Sequence, residues 1–527
     1  MKIAAKLKNL CHFLASDSLT KRASLNAFAV ALDYAARLIV VFLVTPLLVV
    51  GLGTVLFGTW QVLTRLMSYI SPSSGRPTQA LKWTIARDQS STDYEQKRKY
   101  VGSAIIVWIV FLPLMIILGA ILVWRVPYWL KTPLEYFWHV GILTANLAIT
   151  SLTEIPMSVL QGENLGYKRM GLSSAAVFLG GALVWLALRL HAGIAGIAAA
   201  TLITTLVSGA VFLKAVQKHA QWFKVSFPSF HQTRQFFALS FWFMGWNLVM
   251  NLMAASDVVI LGFLKSAEAV AGYTLSKYAP ETLISVIAMM NFGITPGLGG
   301  IIGSGRLKKA ARIRGEMMMW TWLVATALGA TILTWNRTFL NLWVGPGHYV
   351  GSMAAFLITL VVVQFVLIRS DAGIIDLSLN LRRKVMFGLL SAALAIAVSG
   401  VMVGYLKWGV IGLCLGLLFG RLLLSLGYPA IVGRFLGLSL LSQLRSVFRP
   451  ALVTVLLCSS AFWLERHIHL ARKSGFSGWI PFVFCAGMTA LAFLVAAFFL
   501  GLSGPQRKTI LGRIRAVRSP VSVSNER

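Results

Sequence analysis

Charge is what this chain of 527 residues has least of, and acidic charge least of all: 16 Asp and Glu stand against 48 Lys and Arg. Charged residues make up 12% of the chain and hydrophobic ones 57%, against about 25% and 45–50% in soluble domains. A chain this poor in charge cannot cover a water-facing surface. That excludes an ordinary soluble enzyme and a disordered protein alike. Cysteine is scarce as well. Cys11, Cys414, Cys458 and Cys485 form no CxxC pair, and three of them sit in apolar runs, which excludes a disulfide-stapled secreted domain and reads them as small hydrophobes. The eight histidines form no metal-ligand pattern; His467 and His469 fall in a short polar loop.

What the chain does have is long apolar runs, and about 20 such residues span a bilayer. Fourteen runs occur, at 24–49, 52–70, 101–124, 138–160, 171–189, 193–213, 236–264, 269–297, 317–335, 350–376, 386–404, 409–432, 450–464 and 479–502. The first carries Asp33 and Arg37 and lacks a small-residue cleavage site, so it reads as a span, not a cleaved signal. The shortest is 450–464. The expected fold is an all-α polytopic membrane protein with about 14 transmembrane helices. Its parts are an amphipathic N-terminus (1–23), a six-helix bundle (24–213), a linker (214–235), a second six-helix bundle (236–432), two additional helices (433–502) and a basic tail (503–527).

The formal net charge of +32 resembles a nucleic-acid signature until the basic residues are located. With the N-terminus inside, the inner loops and termini hold 34 Lys and Arg, the outer loops nine and the spans five. This asymmetry places both termini in the cytoplasm. It turns the charge into a topology and anionic-lipid signal and excludes nucleic acid as a partner. All the loops are short, which leaves no room for a soluble catalytic domain. No Gly-Lys pair occurs, so the P-loop pattern is absent, and Gly297–Gly303, following Pro296, reads as a helix exit.

Two segments about 215 residues apart resemble each other. Glu154 precedes Asn164-Leu165, then Lys168-Arg169-Met170; Asp371 precedes Asn380-Leu381, then Arg382, Arg383, Lys384 and Met386. Six helices separate the copies, so both enter the membrane the same way round. A parallel repeat of this kind is shared by several transporter folds.

Charges at membrane depth cost roughly 2.5–3.5 kcal/mol on insertion scales, so they seek partners or water. Asp33 and Arg37 share one face of the first span at a spacing of four, and Lys277 and Glu281 repeat that spacing around Pro280. Arg369 and Asp371 lie on the tenth span, Glu154 just before Pro156 on the fourth, and Asp257 on the seventh. One reading makes these residues structural pairs. The other has them line a hydrated cavity, where Arg37, Lys277 and Arg369 would bind an anionic substrate group. Asp33, Glu154, Asp257, Glu281 and Asp371 are then the candidate coupling acids for H⁺ or Na⁺. No metal site or other cofactor is expected.

The stretch Pro46 … Gly51-Leu52-Gly53 … Phe57-Gly58-Thr59-Trp60 … Tyr69, with Ala86-Arg87 … Asp93 and Gln161-Gly162 … Lys168-Arg169 downstream, resembles bacterial polysaccharide and O-antigen flippases. These are of the Wzx/polysaccharide-transporter type, in the MOP exporter superfamily with MATE pumps and the lipid II flippase. The resemblance implies export of an undecaprenyl-diphosphate-linked oligosaccharide across the inner membrane by alternating access, for O-antigen, exopolysaccharide or capsule. It also implies downstream polymerase or assembly proteins as partners, and no enzymatic activity. Ser71-Pro72-Ser73-Ser74-Gly75 departs from the family's acidic D-x-G at that position.

Two other functions share this hydropathy. A MATE-type cation-coupled drug or metabolite antiporter would favour acids over cations in its cavity. A membrane glycan polymerase or ligase would carry a large outer loop.

Overall fold

A computed structural model of the chain describes residues 19–89, 91–130, 136–169, 171–377, 381–467 and 478–518. The amphipathic segment up to residue 18, Cys11, Asn380, His469 and the end of the basic tail lie outside the described residues. The described chain is helical throughout, without strands. It divides into two compact units, Met1–Ala271 and Gly272–Arg527. Each carries one copy of the repeated segment. The bundle boundary expected from sequence fell in the linker 214–235; the seventh span packs within the first unit, against the second half of the first helix.

In the first unit, α1 (Leu19–Ile70) carries the first two predicted spans in one helical stretch, broken only at Gly53. Gly53 takes φ 75 and ψ 167, a conformation open essentially to glycine alone. The break falls just inside the start of the second apolar run. A 3₁₀ turn (Ser71–Ser74) follows, closed by Gly75. Then come α2 (Pro77–Arg87), α3 (Tyr94–Leu130), α4 (Tyr136–Thr153) and the short α5 (Ile155–Gly162). The fourth predicted span is broken between α4 and α5 at Glu154, beside Pro156, which cannot donate a helical hydrogen bond. The unit continues with α6 (Leu172–Arg189), α7 (Gly193–His219) and α8 (Phe230–Leu264). A reciprocal capping box between Ser229 and Gln232 starts α8.

Its core joins Leu81 and Ile85 of α2, Val101 and Val107 of α3, Val159 of α5 and Val216 of α7. Beside this core, Lys97 is buried and ion-paired to Glu163 at 2.8 Å.

The division between the units falls in the first turns of α9 (Ala267–Gly303), which runs through the Gly-rich stretch and ends at Gly303. Next are α10 (Leu307–Trp343), α11 (Ser352–Leu377), α12 (Leu381–Gly400, extended by a π turn to Tyr405) and α13 (Gly409–Leu436). The chain closes with α14 (Leu440–His467), α15 (Trp479–Ala496, extended by a π turn to Gly501) and α16 (Gly504–Arg518). The shortest predicted run, 450–464, is thus part of a helix of 28 residues.

Small residues set the close packing of α12 on α13. Gly412, Gly416 and Gly420 recur every fourth residue on α13, and a Cβ on Gly420 would lie 2.3 Å from Ala395 Cα of α12. Ser391 and Ser399 of α12 donate to the carbonyls of Gly420 and Leu413 at 2.9 and 3.1 Å. Small-xxx-small stripes with interhelical serine bonds are how membrane helices approach without a hydrophobic drive.

The two additional C-terminal helices pack on α10. Trp322 donates its indole N–H to Thr454 of α14 (2.8 Å), and Trp335 donates to Thr489 of α15 (3.1 Å). Among the described residues, twelve helices are long and apolar enough to cross a membrane. All fourteen predicted runs fall on helices, since α1 holds two of them and α9 covers 269–297.

Candidate functional site

The charges of the first unit gather around the α4/α5 junction. Asp33 of α1 is buried, and its carboxylate accepts a hydrogen bond from Ser174 of α6 at 3.0 Å. One turn further, Arg37 is exposed. Glu154 is half-buried at the junction, and the positive charges of Arg37 and Arg76 both bear on it. Arg76 was counted in the sequence only as an inner-loop cation. It is held at φ 50, in the left-handed region, with its Nε buried and without a hydrogen-bond partner. Burial pulls its guanidinium below the ordinary arginine range, and the charge of Glu154 opposes this.

The sequence did contain a signal for Arg76. A residue before proline is pushed out of the right-handed helical region, and Gly75-Arg76-Pro77 sits between two helices. A bulky cation in left-handed backbone is a strained position, and such strain clusters at functional sites. Chemically, two guanidiniums, Arg37 and Arg76, bear on the Glu154 carboxylate, with Asp33 one turn from Arg37 on α1. Each guanidinium presents a planar fork that matches phosphate oxygens.

Asp257 lies elsewhere in the first unit. It is buried on α8, accepting from the N–H of Val258 at 2.8 Å. Its surroundings form a polar seam with the second half of α1: Tyr69 donates to Ser256 at 3.0 Å, and Asn251 donates to the Ser68 carbonyl at 2.5 Å.

In the second unit the sequence pair Lys277–Glu281 is formed, at 2.8 Å, with Lys277 buried 5.6 Å from the Tyr273 ring centre. Arg369 is exposed on α11. Asp371, two residues on, is buried in a two-pronged bond with Arg314, whose Nε and Nη2 donate to its two oxygens at 2.9 Å each. Arg314 also donates to Gln443 of α14 at 2.7 Å, and Gln443 donates to the carbonyl of Pro429 at 3.2 Å. Asp376 pairs with the buried Lys384 at 2.6 Å. Arg421 is buried with its guanidinium 5.1 Å from the Phe365 ring centre. Asn336 is buried and donates to the Ser276 carbonyl. No group of three or more His, Cys, Asp or Glu able to hold a metal lies among the described residues.

Three solved structures place the fold. A lipid II flippase MurJ in an inward closed conformation matches at TM-score 0.64 with 13% identity, over 90% of this chain and 98% of that one. An inward-facing multidrug resistance MATE family transporter of the MOP superfamily matches at 0.60 with 15% identity, over 77% and 94%. An outward-facing MATE transporter of that superfamily matches at 0.55 with 13% identity, over 81% and 97%. The chain therefore has the fold shared by these MATE and MurJ structures, and its twelve long apolar helices make it a multi-pass membrane protein. At the level of sequence, residues 25–298 match the model of the family described as "Polysaccharide biosynthesis protein". The chain belongs to that family. No curated protein matches the chain.

Proposed function

We propose that the protein is a flippase that moves an undecaprenyl-diphosphate-linked oligosaccharide across the bacterial inner membrane by alternating access, with both termini cytoplasmic. The observation that carries this reading is the Arg37–Arg76–Glu154 cluster. Its two guanidiniums offer forked donors that match phosphate oxygens, which suits a diphosphate and does not suit a cationic drug. Glu154 occupies the arginines in the absence of substrate and yields them to the diphosphate. Arg369 is the corresponding open cation of the second unit, while Lys277 is already matched by Glu281.

With the cell interior negative, outward movement of an anion gains about 2.3 kcal/mol per charge per 100 mV. Exchange of H⁺ or Na⁺ at Glu154 would add to that drive. Asp371 and Glu281 serve this purpose less well, each being held by a cation at 2.9 Å or closer. The product, delivered to the outer leaflet, would be consumed by polymerase or assembly proteins. The MATE-type antiporter remains the second reading because the fold is common to both and Asp33 and Glu154 are acids at membrane depth.

Lipids from cells depleted of the protein, analysed by mass spectrometry, test the choice. The expected result is build-up of a diphosphate-linked oligosaccharide, shown to be confined to the inner leaflet by a membrane-impermeant label and cleared by the wild-type gene. The variants Arg37→Ala and Arg76→Ala should be present at normal levels and fail to clear it. Absence of build-up in a strain shown to make such a lipid would favour the antiporter.

A further inference from the structure

The pair α12–α13 carries a groove that the transport reading does not use. It lies where α12 begins and α13 finishes, the end that the Lys and Arg distribution assigns to the cytoplasmic surface. The groove has a volume of about 510 Å³, and its floor is apolar, with Phe387 of α12 facing Ile431 and Phe435 of α13. Gly427 shapes it, since a Cβ there would stand 3.0 Å from the Phe387 ring. Towards mid-span from the groove, Leu390 of α12 and Leu426 of α13 are exposed.

Arg383 and Arg434 also line the groove, one from each helix. Both are exposed, and neither has an ion-pair partner among the described residues. Their neighbour Lys384 shows the contrast: it is fully buried and held by Asp376 at 2.6 Å.

Two guanidiniums above an apolar trough, at the depth where headgroups meet acyl chains, complement an amphiphile with an anionic phosphate head. The forked guanidinium matches phosphate oxygens. The trough removes an acyl chain from contact with mobile lipid by fitting it against fixed side chains. The negative inner leaflet supplies such molecules at high local concentration. We propose that this groove is a binding site for an anionic phospholipid of the inner leaflet, with Arg383 and Arg434 on its phosphate and one acyl chain in the trough. The lipid bridges α12 and α13 beyond the end of their small-residue stripe, so it recognises the assembled pair and not either helix alone. This site stands independently of the transported substrate.

Native mass spectrometry of the full chain, titrated with dioleoyl phosphatidylglycerol or dioleoyl phosphatidylcholine, tests it. The wild type should retain the anionic lipid in preference. R383Q/R434Q should weaken that binding roughly 25-fold, at about fivefold per arginine, and leave the zwitterionic lipid unchanged. Ala430→Trp, which fills the trough and spares the rim, should weaken both. The single variants R383Q and R434Q carry the same test at about fivefold each if the double variant does not fold. Equal retention of the two lipids by the wild type would overturn the proposal. So would unchanged phosphatidylglycerol binding in variants that are monodisperse and helical. Displacement of phosphatidylglycerol by equimolar undecaprenyl phosphate would overturn it too, by making the groove a site for the transported lipid.

Discussion

Replacing Asp371 by Asn separates a structural acid from a coupling acid. The carboxylate is buried, and Arg314 donates to both its oxygens at 2.9 Å. Arg314 is 7% exposed, so loss of the Asp371 charge strands a buried guanidinium, with Gln443 and a neutral amide left to hold it. Removing one partner of such a pair costs about 3–5 kcal/mol. The amide can still accept one hydrogen bond from Arg314, which returns about 1 kcal/mol. Asp371→Asn should therefore lose about 2–4 kcal/mol. Arg314→Met/Asp371→Leu, which removes both charges and keeps the volume, should recover most of the loss. Reversible unfolding of the purified protein in mixed micelles, followed by circular dichroism for wild type, Asp371→Asn, Asp371→Leu, Arg314→Met and the double variant, measures the coupling directly. A single variant as stable as wild type, with translocation abolished, would refute the structural assignment and return Asp371 to the coupling acids.

Two further outcomes follow from single residues. Arg76→Gly relieves a left-handed conformation costing of order 1–3 kcal/mol, so the variant should unfold at a higher denaturant concentration while failing to clear the accumulated lipid; a less stable variant would argue against strain at that position. Glu465 of α14 is 2% exposed, with the Tyr349 hydroxyl beside its carboxylate. A neutral amide of the same shape removes the cost of burying charge, so Glu465→Gln should raise the thermal midpoint, and a fall would mean that the carboxylate is satisfied in the membrane by something it recognises.

The helices were legible because lipid leaves a chain few options: every backbone group must be satisfied within a helix, so hydropathy alone marks the spans. The breaks were less so. Gly53 joins two predicted spans into one helical stretch, and the sequence there gives only a Gly-punctuated turn. Of the charges, Lys277–Glu281 was readable because its partners are four apart on one helix. Asp371–Arg314 was not, because its partners are 57 positions apart and Arg314 looked like one more inner-loop cation. Arg76 too looked like a loop cation, and only Gly75-Arg76-Pro77 marked it as a break between helices. Counting loop charges fixes orientation and erases the individual roles of the residues counted. The division of the chain at Ala271 was equally invisible, since the packing of α8 on α1 is a matter of side-chain fit that hydropathy does not record.

The indole bonds from α10 to the last two spans have a consequence for how the protein is made. Trp322 and its acceptor Thr454 are 132 positions apart, and Trp335 and Thr489 are 154 apart. At roughly 5–20 residues per second, α10 is released from the ribosome for between about 7 and 30 s before the helices that accept its N–H groups exist. Throughout that interval these two indole donors face either lipid or whatever holds the nascent chain. Completion of the second unit is therefore timed by the arrival of its C-terminus, and chains truncated before α14 would leave the membrane quality-control machinery a ready mark of incompleteness.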